Sequence, residues 1–344
     1  MLKPKRLNRG DTVAIVSPSW GGPSRFPGIY ELGLRNLSSL FDLRVVEFGA
    51  REDNDLIYRN PQMRAEFLNR AFADPSVSAI ITSIGGDDSV RILPYLDVPT
   101  ILANPKIFMG FSDTTTMTTY LNTQGLVTFN GPSIMAGFAQ LQNLPPAFTQ
   151  HIGDVLMRPS ATYDYQPYEA WVQKYLEWSA PRTLGQVEPW HENGEGWQWV
   201  QGEGVFEGAL FGGCIEVFDF LNGTPFWPAP SHWDGKLVFF ETSEEKPPVS
   251  QVKYWLRNLG CQGILDRISG LLFGRARSYS SEEKRELYKV LVQVVAGEFG
   301  RSDLPIVANM DFGHTDPQWV MPLGVKAQVD TSARTFRLLE PAAL

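Results

Sequence analysis

Ser112 stands in Gly110-Phe111-Ser112-Asp113-Thr114, directly after an apolar run and directly before a helical pattern. A serine on a sharp strand-to-helix turn presents its hydroxyl beside the free N–H groups of the helix start, as a nucleophile requires. The second glycine of a G-x-S-x-G elbow is missing, so Ser112 or Asp113 as a simple helix N-cap stays open. Gly85-Gly86 ends another apolar run. One of its N–H groups could meet an oxyanion, with the N–H of Asp113 as the second donor. A turn that needs positive φ is the plainer reading of a glycine pair.

A nucleophilic serine needs a base, and the base needs an acceptor to hold its tautomer. Of His151, His191, His232 and His314, the last has the most suggestive setting, in Asp311-Phe312-Gly313-His314-Thr315-Asp316-Pro317 after a strand ending at Asn309. His191 and His232 lie near Trp and Pro in less regular segments. Glu241 follows the apolar run KLVFF and is the candidate acceptor, a capping or surface acid being the alternative. Glu244 and Glu245 read as a solvated turn.

These residues need elements to carry them. TVAIVS (12–17), LRVVEF (43–48), VSAIITS (77–83), KIFMG (106–110) and 126–129 read as strands. Helical patterns over 28–41, 61–74 (Asn60 as N-cap) and 113–124 lie between them. This βαβ rhythm predicts a mostly parallel sheet with helices on both faces, whose ligand site lies beyond the carboxyl ends of the strands. Ser17-Pro18-Ser19, Gly85 to Ser89 and Phe111 to Thr114 then converge on one rim. After residue 205 the predicted elements are helices at 212–221, 249–259 and 281–299, strands at 236–240, 268–273 and 305–308, and a hairpin at 325–339. The fold class is α/β: a nucleophile-bearing domain over 1–145, a linker and Trp-rich loop over 146–204, and a smaller α/β or α+β domain over 205–344 carrying Glu241 and His314.

The 344 residues are 43% hydrophobic and carry 30 basic against 38 acidic groups, net −8. That excludes disorder as the main state and argues against nucleic-acid or anionic-membrane binding by bulk charge. Cys214 and Cys261 make no disulfide framework and lack metal-type spacing. No run approaches a membrane span and the first residues lack the apolar core of a secretory leader, so a cytoplasmic protein is expected. Ten tryptophans are an excess, several of them between Trp171 and Trp199.

Six segments, in order, resemble the serine peptidase family of LD-carboxypeptidases and microcin C immunity proteins. They are LNRGDTVAIVSPS, IGGDDSVRILPYLD, GFSDTTTM, GALFGGCIEVFDFLNGTPFWP, FFETSEE and DFGHTDPQWVMPLGVKAQVD. The resemblance implies a Ser-Glu-His triad, here Ser112, Glu241 and His314, with an oxyanion hole from the Gly86 and Asp113 N–H groups. It further implies a homodimer working on a small molecule, with neither metal nor organic cofactor. One branch removes the terminal D-residue from murein peptides. The other cleaves the amide joining an acyl or peptidyl part to a nucleotide, with self-immunity or detoxification as the outcome. Gly85-Gly86-Asp87-Asp88-Ser89 and the Trp-rich excursion resemble the second branch, which implies Asp87, Asp88 and Ser89 as substrate contacts and Trp178, Trp190, Trp197 or Trp199 as a nucleobase stacker. Most of these tryptophans would still serve as core or interface aromatics. Gly212-Gly213-Cys214 departs from the family's Gly-Gly-Asn, and no histidine motif adjoins Cys214. A non-catalytic nucleotide-binding module is the remaining alternative, and it does not require Ser112, Glu241 and His314 to meet.

Overall fold

A computed structural model describes residues 1–173 and 175–344. The first half alternates as expected: β1 (Thr12–Val16), β2 (Arg44–Phe48), β3 (Val77–Thr82), β4 (Ile107–Gly110) and β5 (Thr128–Asn130), with helices between them. The excursion holds short strands β6 (Tyr163–Asp164), β7 (Ala170–Trp171), β8 (His191–Glu192) and β9 (Gln198–Gln201). Then follow β10 (Val205–Cys214), β11 (Leu237–Glu241), β12 (Gly270–Gly274), β13 (Ile306–Met310), β14 (Met321–Leu323), β15 (Lys326–Asp330) and β16 (Thr335–Leu338).

Among the described residues the first sheet runs β14-β5-β4-β3-β1-β2 and the second β6-β16-β15-β10-β11-β12-β13-β9. The pairs among β1 to β5 are parallel, as are those among β10 to β13. The second sheet reaches eight strands because β6 and β9 of the excursion close its two edges.

Strand alternation explains the layering. Val13, Ile15, Ala79, Ile81, Ile107 and Met109 point into one apolar cluster. Their neighbours Ala14, Val16, Ile80 and Phe108 point into a second, beneath the helix Pro61–Ala73 and the helix Thr115–Thr123. The first cluster continues without a break into Leu210, Phe239, Leu271, Val307 and Phe336 of the second sheet. One face of the sheet that carries Ser112 therefore shares its core with the sheet that carries Glu241 and His314.

Three sequence expectations are corrected. The helix drawn over 212–221 starts only at Ile215, because Gly212 to Cys214 extend β10 and pair with Phe239 to Glu241. The helix drawn over 281–299 is α-helical from Ser281 to Val292 and π-helical beyond, with Ser280 and Glu283 forming its capping box. Asn60 does not cap the helix after it; its amide donates backwards to Leu56 O, and Pro61 starts the turn.

The two halves meet along a short seam. β14, from the far end of the chain, pairs antiparallel with β5. The Cys214 N–H donates to Thr115 Oγ1 at 3.1 Å, tying the end of β10 to the helix that follows Ser112. Gly213 has φ +151° and sits so close that an added Cβ would lie 2.6 Å from the Thr115 side chain. Overpacking of this kind typically costs about 1–3 kcal/mol. Gly213→Ala is therefore expected to lower the unfolding free energy by that much, seen as a lower urea midpoint at unchanged m, with secondary structure retained; an unchanged midpoint would show that the seam has slack.

Candidate active site

Ser112 follows β4 with φ +58°, a left-handed conformation that an ordinary residue adopts at a cost of about 1–3 kcal/mol. The surroundings hold it there. The buried Asp113 carboxylate accepts hydrogen bonds from the Ser19 hydroxyl, from Ser89 N at 2.8 Å and from Asp88 N at 3.1 Å. Ser89 Oγ donates to Asp113 O at 2.7 Å and lies 2.6 Å from Thr116 Oγ1. Burial pushes the Asp113 carboxyl above its usual range, against the pull of those hydrogen bonds. The capping alternative is not what the structure has: neither Ser112 nor Asp113 caps the helix with its side chain. Gly85 leaves room for the nucleophile, since a Cβ there would lie 2.8 Å from Ser112 Cβ and 3.3 Å from Asp113 N.

The second sheet brings the candidate base. Glu241 ends β11, fully buried, and His314 Nδ1 lies 2.7 Å from its Oε2. With Nδ1–H donating, Nε2 is the basic nitrogen. Burial alone would lower the His314 pKa; the Glu241 and Glu244 carboxylates outweigh it, and the pKa is raised to about 8. The loop that carries His314 is anchored at both ends. Before it, Asp311 pairs with Arg275 at 2.5 Å, both side chains fully buried. After it, Asp316 exchanges backbone hydrogen bonds with Val172 and accepts the Tyr175 hydroxyl.

A cavity of about 400 Å³ joins the two halves, and Ser112, Gly85, Gly86 and His314 line it. Part of its lining is aromatic: Trp20, Phe26 and Trp178, with Trp178 edge-on to Phe26 at 5.9 Å and near-parallel to Tyr175 at 6.2 Å. Glu177, Glu244 and Arg277 supply its charge. Among the described residues no hydrogen bond joins Ser112 to His314; Nε2 lies 3.2 Å from Glu244 Oε2 instead.

The remaining sequence candidates are placed as follows. Asp87 is exposed and outside the cavity lining. Asp88 pairs with Arg64 at 2.6 Å and Arg91 at 2.9 Å, so Asp88 and Ser89 brace the serine turn from behind. Trp178 lines the cavity, whereas Trp190 lies in a separate polar cleft with Trp171 and His191. Trp197 donates its indole N–H to Asp311 at 2.8 Å and packs edge-on against Trp319, supporting the histidine loop. Sequence reasoning missed Trp20, Phe26, Tyr175 and Arg277, although Trp20 and Arg277 follow the ends of β1 and β12, where the strand-end rule looks. Glu244 does lie on an exposed turn, as read from the sequence, and the structure adds its contact with the imidazole at 3.2 Å.

Cys214 is closer to the base than its sequence neighbourhood suggested, because β10 and β11 place it beside Glu241 in register. Its Sγ, a Glu241 carboxylate oxygen and a His314 ring nitrogen lie within 4.8 Å of one another. Glu241 and His314 already bond to each other, and burial, with Glu241 and Glu216 nearby, pushes the thiol well up, so the sulfur is a protonated neighbour 3.2 Å from Glu216. Among the described residues no helix is long and apolar enough to cross a membrane.

Comparison with known proteins agrees with this layout. The family profile described as the LD-carboxypeptidase N-terminal domain matches residues 13–131, and that of the LD-carboxypeptidase C-terminal domain matches 207–329. The chain is 28% identical over 281 residues to the microcin C7 self-immunity protein MccF of Escherichia coli, covering 80% of this chain and 78% of that one. It is 29% identical to a probable murein peptide carboxypeptidase of Bacillus subtilis, covering 97% and 93%. A crystal structure of an MccF-like protein from Streptococcus pneumoniae in complex with AMP superposes with a TM-score of 0.84 at 30% identity, over 96% of this chain and 98% of that one. From the strained serine turn on one sheet to the Glu-His pair on the other, the chain belongs to the LD-carboxypeptidase family, and both of that family's domains run through it.

Proposed function

We propose that the chain is a serine hydrolase that cleaves the amide between an acyl or peptidyl group and a nucleotide. The observation that carries this reading is that Trp20, Phe26 and Trp178 line the same cavity as Ser112. A nucleobase stacked on such a side chain gains about 1–3 kcal/mol. The AMP bound by the Streptococcus pneumoniae relative supports a nucleotide as ligand.

In the proposed reaction His314 Nε2 takes the proton of Ser112 Oγ as the hydroxyl attacks the scissile carbonyl. Glu241 holds Nδ1–H and stabilises the imidazolium. The Gly86 and Asp113 N–H groups receive the oxyanion, each such donor lowering the barrier by about 2.7–4 kcal/mol. His314 then protonates the leaving nitrogen and activates water to release the acyl group. A purely binding module would need neither the strain at Ser112 nor a buried carboxylate bonded to His314.

One observation favours a second substrate. Arg277 lies in the cavity and suits a terminal carboxylate, as in a murein tetrapeptide cleaved at its L,D bond. Hydrolysis of an aminoacyl sulfamoyl adenosine beside such a tetrapeptide separates the readings. Cleavage of the nucleotide compound is expected, and cleavage of the tetrapeptide alone would overturn the preferred substrate.

Ser112→Ala is expected to lower kcat by about 10³-fold or more while circular dichroism stays unchanged. Retention of near-normal turnover would remove Ser112 from its role. The raised pKa of His314, about 8, sets the pH dependence. Because the base must be neutral, kcat/KM is expected to rise with pH through about 8 and then level off. Stability moves the other way. A folded pKa above the unfolded value of about 6.5 adds stability that is complete below pH 6.5 and is lost as pH rises through the folded value. Thermal melts across this window check the sign.

A further inference from the structure

We propose that Glu244 is a specificity residue whose carboxylate, set against His314 Nε2, receives a free ammonium group next to the scissile carbonyl of the substrate. The inference rests on the hydrolase reading above and adds the chemistry of the acyl side.

The geometry is specific. Glu244 lies three residues beyond Glu241, on the turn that leaves β11. The root of that turn is fixed, because Ser243 donates its backbone N–H and its hydroxyl to Glu216 at 3.1 and 2.7 Å. The Glu244 side chain is half exposed and projects into the cavity. Among the described residues its ion-pair partner is His314, at 3.2 Å, without hydrogen-bond alignment. The carboxylate is thus held by charge and can be drawn off by a better cation. Burial disfavours its ionised form, but His314, a backbone hydrogen bond and Arg277 together outweigh it and its pKa is lowered, so it is an anion at neutral pH.

The position matters because Nε2 must face Ser112 for proton transfer. A group that occupies Nε2 competes with the serine. An α-ammonium nitrogen lies about 2.5 Å from its own carbonyl carbon. A carbonyl placed at Ser112 Oγ therefore brings such an ammonium into the part of the cavity where Glu244 stands. Pairing with the ammonium would both hold the substrate and release the imidazole. The other acid in the wall is less available, since Glu177 Oε1 already accepts from Ser179 N and Oγ at 3.1 and 2.9 Å. Arg277 has the wrong sign for this end of the substrate.

The test uses three sulfamoyl adenosines: alanyl, N-acetylalanyl and Nα-acetyl-lysyl. The first carries an α-ammonium, the second none, and the third only a side-chain ammonium. For the wild-type enzyme kcat/KM for the alanyl compound is expected to exceed that of the N-acetylalanyl compound by about tenfold or more, the range of a hydrogen bond to a charged group. Glu244→Gln is expected to collapse that ratio to within about threefold, chiefly through KM of the ammonium substrate. If the lysyl compound matches the alanyl one, recognition does not depend on an ammonium next to the carbonyl, and the proposal is overturned. A ratio near one in the wild type, or a ratio unchanged in Glu244→Gln, overturns the proposal.

Failure of the hydrolase reading looks different: the wild type then cleaves none of the three. In that case the imidazole NMR titration of His314 decides the contact without any substrate. The charged and titratable groups facing His314 are Glu241 and Glu244 from β11 and its turn, Arg277 beyond β12, Asp316 on its own loop, and Glu216 and Cys214 at the end of β10. Among these, Glu244→Gln changes one charge without changing shape. A downward shift of the His314 titration supports the contact, and an unmoved titration overturns it.

Discussion

In the proposed reaction a serine borne on one sheet has to meet an imidazole borne on another, and a seam a few residues wide sets the distance between them. Gly213 and Cys214 close on Thr115 with no side chain intervening. Thr115 is the first residue of the helix that begins three residues after Ser112, and Cys214 lies beside Glu241 in register. The seam thus links nucleophile and acceptor through two short stretches of backbone. The shared apolar cluster supplies adhesion between the halves but is non-directional; the Cys214–Thr115 hydrogen bond and the β14–β5 pairing fix the register. An error of about 1 Å here would be enough to misplace the proton transfer.

Much of this was legible in the residues. TVAIV, VSAIIT and LVFFE are continuous apolar runs, and a parallel strand covered on both faces needs such a run. Once the strands are set, the strand-end rule brings Ser17 to Ser19, Gly85-Gly86 and Ser112 toward one rim and puts Glu241 and His314 at strand ends of the second domain; their meeting with Ser112 is what the family resemblance implies. What stayed hidden was tertiary in origin. Gly212-Gly213-Cys214 looks like a helix entry because glycine carries no periodicity; its use, close approach to Phe239 and Thr115, exists only after both sheets have docked. Asp88 and Ser89 look like substrate ligands because they are polar and sit on the rim. Their partners, Arg64 and Asp113, are too distant in sequence for spacing to reveal them. Trp178 and Trp197 are alike in composition, and only the fold sends one to a cavity and the other to Asp311.

The electrostatics follow from the same arrangement. A buried imidazole by itself would shed its proton early, as His151 does, with burial lowering its pKa to about 3. His314 is no less enclosed, yet its pKa is raised, and the difference is the pair of carboxylates at its two nitrogens. Burial and partner compete, and the charged partners win only where the strand ends deliver them. Glu216 stands one layer further out, its carboxyl pushed up by burial and held by Ser243, so the base sits in front of a graded set of acids. The raised pKa favours the imidazolium, which suits the proposed tetrahedral intermediate, where His314 must hold a proton between serine attack and departure of the leaving group.

The Trp-rich excursion ties the aromatic wall to the chemistry. Val172 and Tyr175 bind Asp316, two residues beyond His314, and Trp197 binds Asp311, three residues before it. Arg275, paired with the same Asp311, lies under the Trp171 ring at 4.9 Å. The histidine loop is therefore clamped on both flanks by the segment that also carries Trp178 into the cavity. A change at the aromatic wall and a change at the base are not independent, because Tyr175 stacks on Trp178 and bonds to Asp316 at once. Such coupling means that a pocket remodelled for a different substrate must keep the excursion's grip on Asp311 and Asp316 or lose the alignment of the imidazole. The residues free to vary are those, like Glu244 and Phe26, that face the cavity without holding the loop.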